Sequence, residues 1–437
     1  MSMRHSSWAA TPPMGWNSWD CYGAAVLEDE VRANAEYMAA KLRPLGWEYV
    51  VVDIQWYESG AVSSKYRKYV PLEMDSWSRL VPAANRFPSA AGGAGFKPLA
   101  AFIHGLGLKF GIHIMRGVPR QAVHAATPIL GSSATARDIA HSNSVCPWNT
   151  DMYGVDPEAD GAQVYYDSLL ALYAGWGVDF IKVDDIAASR LYGSHLDEIA
   201  LIRRAIDRCG RPIVLSLSPG PAPLDCAGDY ARRANMWRVT DDFWDKWELL
   251  LDMFDRCERW YPLVGEGHWP DCDMLPLGHI GIRSSETGAA DRRSRFTYDE
   301  QRTMMSLWSI FRSPLMMGGE MRDNDERTLS LLSNPEVIAV DQGGSRPKPV
   351  AIEGRPIGIR SRPAIAWSSE GPEGSTYLAL FNVGESPLEV RATWAELGLE
   401  GERMVRDLWE RRDLGRVDAF ASAMLPPHGS ALFKLSR

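Results

Sequence analysis

The sequence predicts an α/β protein: a (β/α)8 TIM barrel followed by a C-terminal antiparallel β-sandwich domain. Three observations predict it. Short β-branched runs alternate with helix-like segments from about residue 11 to residue 345. After about residue 346 the pattern changes to short alternating segments separated by Gly, Pro and charged turns. The chain, at 437 residues, also exceeds what one compact core organises. The expected division is a barrel over 1–345 and a sandwich over 346–437.

The barrel elements follow in order. "EYVVVDIQW" (48–56) is a β-branched run, and "LKFGIHIMR" (108–116) follows helix-like "FKPLAAFIHGLG". "VDFIKVDD" (178–185) follows "QVYYDSLLALYAGWG", and "RPIVLSLSPG" (211–220) follows "HLDEIALIRRAIDRCG". "NMWRVTDD" (235–242) precedes "FWDKWELLLDMFDRCERWYP", and "RSPLMMGGE" (312–320) follows "YDEQRTMMSLWSIF". Strands each followed by a helix argue for a parallel sheet with crossover helices. About eight such units fit a (β/α)8 barrel. A doubly wound open sheet is the alternative, but it requires a glycine-rich fingerprint after its first strand, and "VVVDIQW" has none. Beyond the barrel, "GSRPKPV" (344–350) reads as a linker. "IGIRSR", "AIAWSS", "TYLALFNV", "LEVRATW", "RMVRDLW" and "SALFKLSR" read as the strands of the sandwich.

Composition narrows the function classes. The chain is 45% hydrophobic and 24% charged, as ordinary globular proteins are. A net charge of -9 without a long basic cluster argues against nucleic acid as a partner. No apolar run reaches the roughly 18 residues of a membrane span. The start "MSMRHSSWAATPPMGW" lacks the apolar core of a secretory signal, so a cytoplasmic location is expected, unless a targeting segment has been removed. The six cysteines are scattered without a CxxC pair, which suits neither a metal knuckle nor a disulfide scaffold. The 17 tryptophans serve core packing first, and their faces also stack on sugar rings.

Barrel active sites sit at the C-terminal ends of the strands, so polar residues there are the candidates. In "GVDFIKVDDI", strand alternation puts Phe180, Lys182 and Asp184 on one face and Ile181, Val183 and Asp185 on the other. The aliphatic face suits the helices, which leaves Lys182 and Asp184 pointing inward. A buried lysine beside a carboxylate favours the charged form of both. The pair is then either a structural ion pair or the setting of a nucleophile. The same parity at "MWRVTDDF" puts Arg238, Thr240 and Asp242 on one face. Two inward carboxylates are what glycoside hydrolysis needs, one ionised to attack and one protonated to donate. The alternative is that Asp241 or Asp242 caps the helix that follows. "GEGHWPDCDMLPLG" (265–278) reads as a binding loop, with a metal held by His268, Asp271 and Asp273 as the competing idea.

The segments "TPPMGWNSWDCYG", "GWEYVVVDIQW", "WGVDFIKVDD", "MWRVTDDFWDKW", "WPDCDMLPLG", "SPLMMGGEMRD" and "NPEVIAVDQ" occur in an order that resembles glycoside hydrolase family 27, the α-galactosidase and α-N-acetylgalactosaminidase family. The sandwich resembles that family's C-terminal domain. The resemblance implies a retaining, exo-acting glycosidase that cleaves terminal α-galactoside-type sugars by double displacement, without metal or organic cofactor. It implies Asp184 as nucleophile and Asp242, four residues after Arg238, as acid/base. It implies Trp19, Asp53, Lys182, Arg238, Asp273 and Met274 as sugar-binding residues. Three positions depart from the family pattern: Ile54 replaces the second acid of a pair that grips the sugar's 4- and 6-hydroxyls, His113 replaces a tyrosine, and Ser218 stands at a glutamate position, with His113 and Ser218 also expected to bind the substrate. α-N-acetylgalactosaminidases also carry a serine there. That activity and β-L-arabinopyranosidase activity therefore stay open on the same scaffold, as does a sugar-binding protein that no longer catalyses. The long segment 116–162 is expected to cap the site, with Arg116, Arg120, His141 and Asp151 as candidates for replacing lost contacts or as ordinary loop residues. Disulfides of secreted animal members do not map onto these cysteines, which suggests a bacterial intracellular enzyme. The expected partner is a small-molecule or oligosaccharide glycoside, with neither nucleic acid nor membrane.

Overall fold

Eight short strands make the barrel: β1 Met14–Asn17, β2 Tyr49–Val52, β3 Lys109–Met115, β4 Phe180–Asp184, β5 Val214–Leu217, β6 Met236–Arg238, β7 Trp269–Asp271 and β8 Leu315–Met317. The computed structural model describes residues 4–63, 65–283, 290–352 and 363–437. Every neighbouring pair is parallel, in the order β7-β6-β5-β4-β3-β2-β1-β8. The two ends of that row meet through Leu275, whose amide donates to the Met316 carbonyl at 2.8 Å and whose carbonyl accepts from the Gly318 amide at 3.0 Å.

Helices follow the strands: α1 Glu28–Lys41, α2 Lys97–Gly105, α3 Ala162–Trp176, α4 Leu196–Arg208, α5 Ala227–Arg233, α6 Trp247–Trp260 and α7 Tyr298–Phe311, then α8 Glu326–Leu332 and α9 Pro335–Gly343 after β8. The apolar spacing explains their packing. In α6, Leu250, Met253, Phe254, Cys257 and Trp260 recur at helical period and are all buried. α3 stops at Gly177, whose left-handed φ of 93° turns the chain into β4.

Strand alternation separates two apolar clusters. Phe180 lies in the inner cluster with Tyr49, Val51, Val214, Met236, Trp269 and Met316. Ile181 and Val183 lie in the outer cluster with the helices. The Tyr49 and Phe180 rings, 5.4 Å apart, fill the barrel's lower interior. Gly111 makes room for them: a β-carbon there would come within 2.9 Å of Val51 and 3.0 Å of Phe180. Above this apolar plug the inward positions turn polar, and that change of layer creates the site.

The C-terminal domain has strands β9 Ser345–Val350, β10 Ala364–Glu370, β11 Thr376–Asn382, β12 Leu388–Thr393, β13 Arg403–Asp407, β14 Arg412–Val417, β15 Phe420–Leu425 and β16 Ser430–Ser436. One sheet runs β9-β10-β11-β16-β13-β14, and β12 pairs with β15 in the second. Leu378, Leu380, Val390, Val405, Phe433 and Leu435 fill the space between them. The other face of the larger sheet joins the barrel core through Trp367, Tyr377, Phe381 and Leu432. There Phe254 of α6 meets Phe381 edge-on at 4.9 Å, and Trp409 donates to Ser306 of α7 at 2.9 Å.

Several expectations change. "GSRPKPV" is not a linker but holds the edge strand β9, where prolines are tolerated because one side of an edge strand needs no ladder donor. "IGIRSR" lies outside the described residues. β14 and β15 were not anticipated: β14 is mostly exposed and carries little apolar signal, and β15 is largely Ala and Ser. No described helix is long and apolar enough to cross a membrane.

The shared core yields a prediction. Phe381→Ala removes a fully buried ring at the domain junction. It should cost about 3–5 kcal/mol, read by equilibrium denaturant unfolding, with barrel and sandwich signals shifting together.

Candidate active site

Asp184 ends β4 at the barrel mouth with both carboxylate oxygens occupied. His113 Nε2, on β3, lies 3.0 Å from Oδ2, and the Asp185 amide donates to Oδ1 at 2.8 Å. Burial opposes its ionisation, but the His113 hydrogen bond, the charges of His113 and Lys182, and the Asp185 amide outweigh it. The Asp184 carboxyl therefore sits below its ordinary range and is ionised at neutral pH.

Lys182 does not form its ion pair with Asp184, as the strand reading expected. It reaches two strands away, to Asp53 at the end of β2, with Nζ 3.0 Å from Oδ2. Residues two apart on one strand sit a full strand repeat apart, whereas a long side chain can cross the narrow barrel interior. Asn17 Nδ2 donates to the same oxygen of Asp53 at 2.8 Å, and the Ile54 amide donates to the other at 2.8 Å. Against burial, Lys182 and His113 hold the Asp53 carboxyl well below its usual range. Asp53 and then Asp184 in turn push the buried Lys182 ammonium upward.

Asp185 turns away, with a left-handed φ of 56°. Arg116 clamps it, Nη2 lying 2.8 Å from its carboxylate and Nε donating to its carbonyl at 2.6 Å. Arg116 also lies 3.4 Å from Glu198, which accepts from the Tyr166 hydroxyl at 2.5 Å. Burial pushes the Asp185 carboxyl up to about 6 in spite of Arg116. The two adjacent aspartates thus separate as the alternation implied, and Arg116 has a positioning task behind the site.

Asp242 reaches the mouth differently from the expectation. β6 stops at Arg238, so the parity of 238, 240 and 242 is not carried by a strand. Asp242 is placed by the loop behind it. The next amide, of Phe243, donates to Asp273 at 2.8 Å, and Asp241 accepts from the Asp242 amide at 3.0 Å. Arg238 Nη2 lies 3.3 Å from the Asp242 carboxylate, whose side chain is 60% exposed. Neither Asp241 nor Asp242 caps a helix, because α6 begins at Trp247 after Lys246. Arg238 also pairs with Asp273 at 2.7 Å. Burial and the neighbouring acids Asp242 and Asp271 push Asp273 up, but Arg238 and the Phe243 amide occupy its two oxygens and favour the ionised form.

A cavity of 380 Å³ gathers Trp19, Asp53, Lys182, Asp184 and Asp242. Trp19 stacks on Tyr66 with centroids 6.1 Å apart and planes at 21°, and Trp148 extends that aromatic wall. Arg238, Asp273 and Met274 line a small pocket of 20 Å³ that shares Lys182. His113 is buried behind Asp184. Ser218 is buried and does not line the cavity; Pro219, Gly220 and Pro221 do. Gly220 has no room for a side chain, because a β-carbon would meet the Thr240 carbonyl. Sequence reasoning missed the lining residues Tyr66, Trp148, Ala188 and Arg190 as well as the Pro219–Pro221 turn, and offered Asp241 only as a helix cap. Trp148 lies in the loop expected to cap the site, while Tyr66 stands in a polar stretch with no signal of its own.

Of the other loop candidates, Arg120 and Asp151 line a separate cavity, and His141 is exposed on a short strand, Ala140–Val145. The 265–278 segment is not wholly a loop, since Trp269–Asp271 is β7, a three-residue strand disguised by its central proline. His268 stacks on Trp237 with planes at 11°. Among the described residues no cluster of His, Cys, Asp and Glu could hold a metal.

Comparison with known proteins identifies the family and agrees with the fold. The family described as alpha galactosidase A matches residues 155–343, and the alpha galactosidase C-terminal beta sandwich domain matches 361–435. Alpha-galactosidase 2 of Arabidopsis thaliana is 28% identical over 98% of this chain and 90% of its own length. The crystal structure of a GH27 β-L-arabinopyranosidase from Geobacillus stearothermophilus is 64% identical, covers 100% of this chain and 99% of its own, and superposes with a TM-score of 0.97. A candidate α-N-acetylgalactosaminidase from Bacillus halodurans is 56% identical over 97% of each chain, with a TM-score of 0.87.

His113→Phe tests the electrostatics. Removing the donor takes away the largest effects that oppose burial, so the Asp184 carboxyl rises. The acid limb of kcat/KM on an aryl glycoside should then move to higher pH and the maximum should fall by roughly 10- to 100-fold. An unmoved acid limb would show that His113 does not tune Asp184.

Proposed function

The chain belongs to glycoside hydrolase family 27, and on that premise we propose that this glycosidase is a retaining, exo-acting enzyme whose preferred glycon is β-L-arabinopyranose. Asp184 attacks the anomeric carbon as an ionised carboxylate, forming a C–O bond while the glycosidic C–O bond breaks. Asp242 gives its proton to the departing oxygen. Water, deprotonated by Asp242, then displaces Asp184 and restores the starting configuration. Lys182 and Asp53 hold sugar hydroxyls above the apolar plug, and the Trp19–Tyr66–Trp148 wall packs against the ring.

The observation that carries the choice of sugar is Ile54. It is 1% exposed and belongs to the apolar core, so no acceptor follows Asp53 in the chain. β-L-arabinopyranose is α-galactopyranose without its C6 hydroxymethyl group. A site with no acceptor for a 6-hydroxyl gains nothing from that group and leaves it poorly paired. The name of the Geobacillus relative supports the same sugar. Ser218 gives little support to an acetamido sugar, since Pro219, Gly220 and Pro221 occupy the cavity wall instead.

Nitrophenyl glycosides provide the test. kcat/KM should be higher for β-L-arabinopyranoside than for α-galactoside and α-N-acetylgalactosaminide; the reverse order would sink the choice. Ile54→Asp should move the ratio toward the galactoside by about tenfold or more. Asp184→Asn should remove turnover of every substrate while the fold persists.

A further inference from the structure

A second cavity, of 610 Å³, is lined by Tyr69, Arg120, His124, Arg137, Asp151 and Tyr153. Pockets for small ligands run about 300–1,000 Å³. Its chemistry is one-sided. The Arg120 guanidinium lies against two rings, 5.0 Å from the centroid of Tyr69 and 4.5 Å from that of Tyr153. Among the described residues the guanidinium has no hydrogen bond or ion pair. Arg137 uses Nε and Nη2 on the carbonyls of Val123 and His124, at 3.3 and 2.7 Å, and its Nη1 has no described partner. The one acid, Asp151, is buried, and its Oδ2 already accepts from Gln55 and Tyr57 at 2.9 Å each. The cavity therefore offers donors in excess, on a chain whose net charge is -9.

A guanidinium that rests against aromatic rings and spends no donor on the protein keeps its planar fork of N–H groups, which matches a carboxylate. Tyr69, 71% exposed, adds an apolar ring face of the kind that packs on a sugar. The two cavities draw on the same two chain segments. Tyr66 and Trp148 line the catalytic cavity, while Tyr69 and Thr150 line this one. Three residues of chain span at most about 11 Å, so a glycan leaving the catalytic mouth passes close by.

We propose that this second cavity binds a carboxylate-bearing sugar, a uronic acid unit of the glycan whose end sugar occupies the catalytic cavity. Binding itself does not depend on which glycon the enzyme releases, so it can be measured without turnover. Calorimetric titration of the full chain with D-glucuronate should show saturable binding. Arg120→Met should weaken it by about tenfold or more, and Asp184→Asn should leave it in place, with thermal melting confirming that both variants are folded. Arg120→Lys, which keeps the charge but loses the fork, should recover only part of the affinity. Equal binding of glucose would overturn the anionic reading, and equal binding of acetate would overturn the sugar reading. Binding that survives Arg120→Met, binding lost in Asp184→Asn alone, or no binding at all would each overturn the site.

Discussion

The Lys182–Asp53 ion pair is the contact on which the rest of the site depends. Asp53 is buried and Lys182 largely enclosed at the top of the barrel interior, where an uncompensated charge costs several kcal/mol. Asn17 and the Ile54 amide complete the hydrogen bonds of Asp53, so both of its oxygens are satisfied. With Lys182 engaged there, Asp184 has no direct pair with the ammonium, still feels its field, and takes His113 as its contact partner. A carboxylate tied tightly to a lysine is a poorer nucleophile than one merely kept ionised by a neighbouring charge.

A second charged set holds the other half of the mouth. Arg238 bridges Asp273 and Asp242, and Asp273 anchors the Phe243 amide next to Asp242. The two carboxylates that face the cavity thus differ in kind. Asp184 is largely enclosed, held by two hydrogen bonds and ionised; Asp242 stands at the rim, 60% exposed. Behind Asp184, the Arg116 clamp fixes both the carbonyl and the carboxylate of Asp185, and so fixes the amide that Asp184 accepts.

Much of this was legible in the chain. Period-2 alternation in "FIKVDD" separated Asp184 from Asp185, and the inner and outer apolar clusters follow the same split. Alternation failed where strands were too short to impose it. β6 ends at Arg238, and beyond it Asp241 and Asp242 both line the cavity. β7 hid behind a proline, and β9 looked like a linker because its two prolines sit on an edge.

By itself the sequence determined most of the barrel's strands and helices, the presence of a sandwich after the barrel and the parity of Lys182, Asp184 and Asp185, because those depend on local periodicity and composition. The tertiary structure decided which charges meet. Lys182 selected Asp53 two strands away, Arg116 left the loop to clamp Asp185, and Tyr66 joined Trp19 in the aromatic wall. Such pairings are set by the closure of the barrel, which brings distant strand ends within a side chain's reach. Closure is a property of the whole ring and leaves no mark in any one segment.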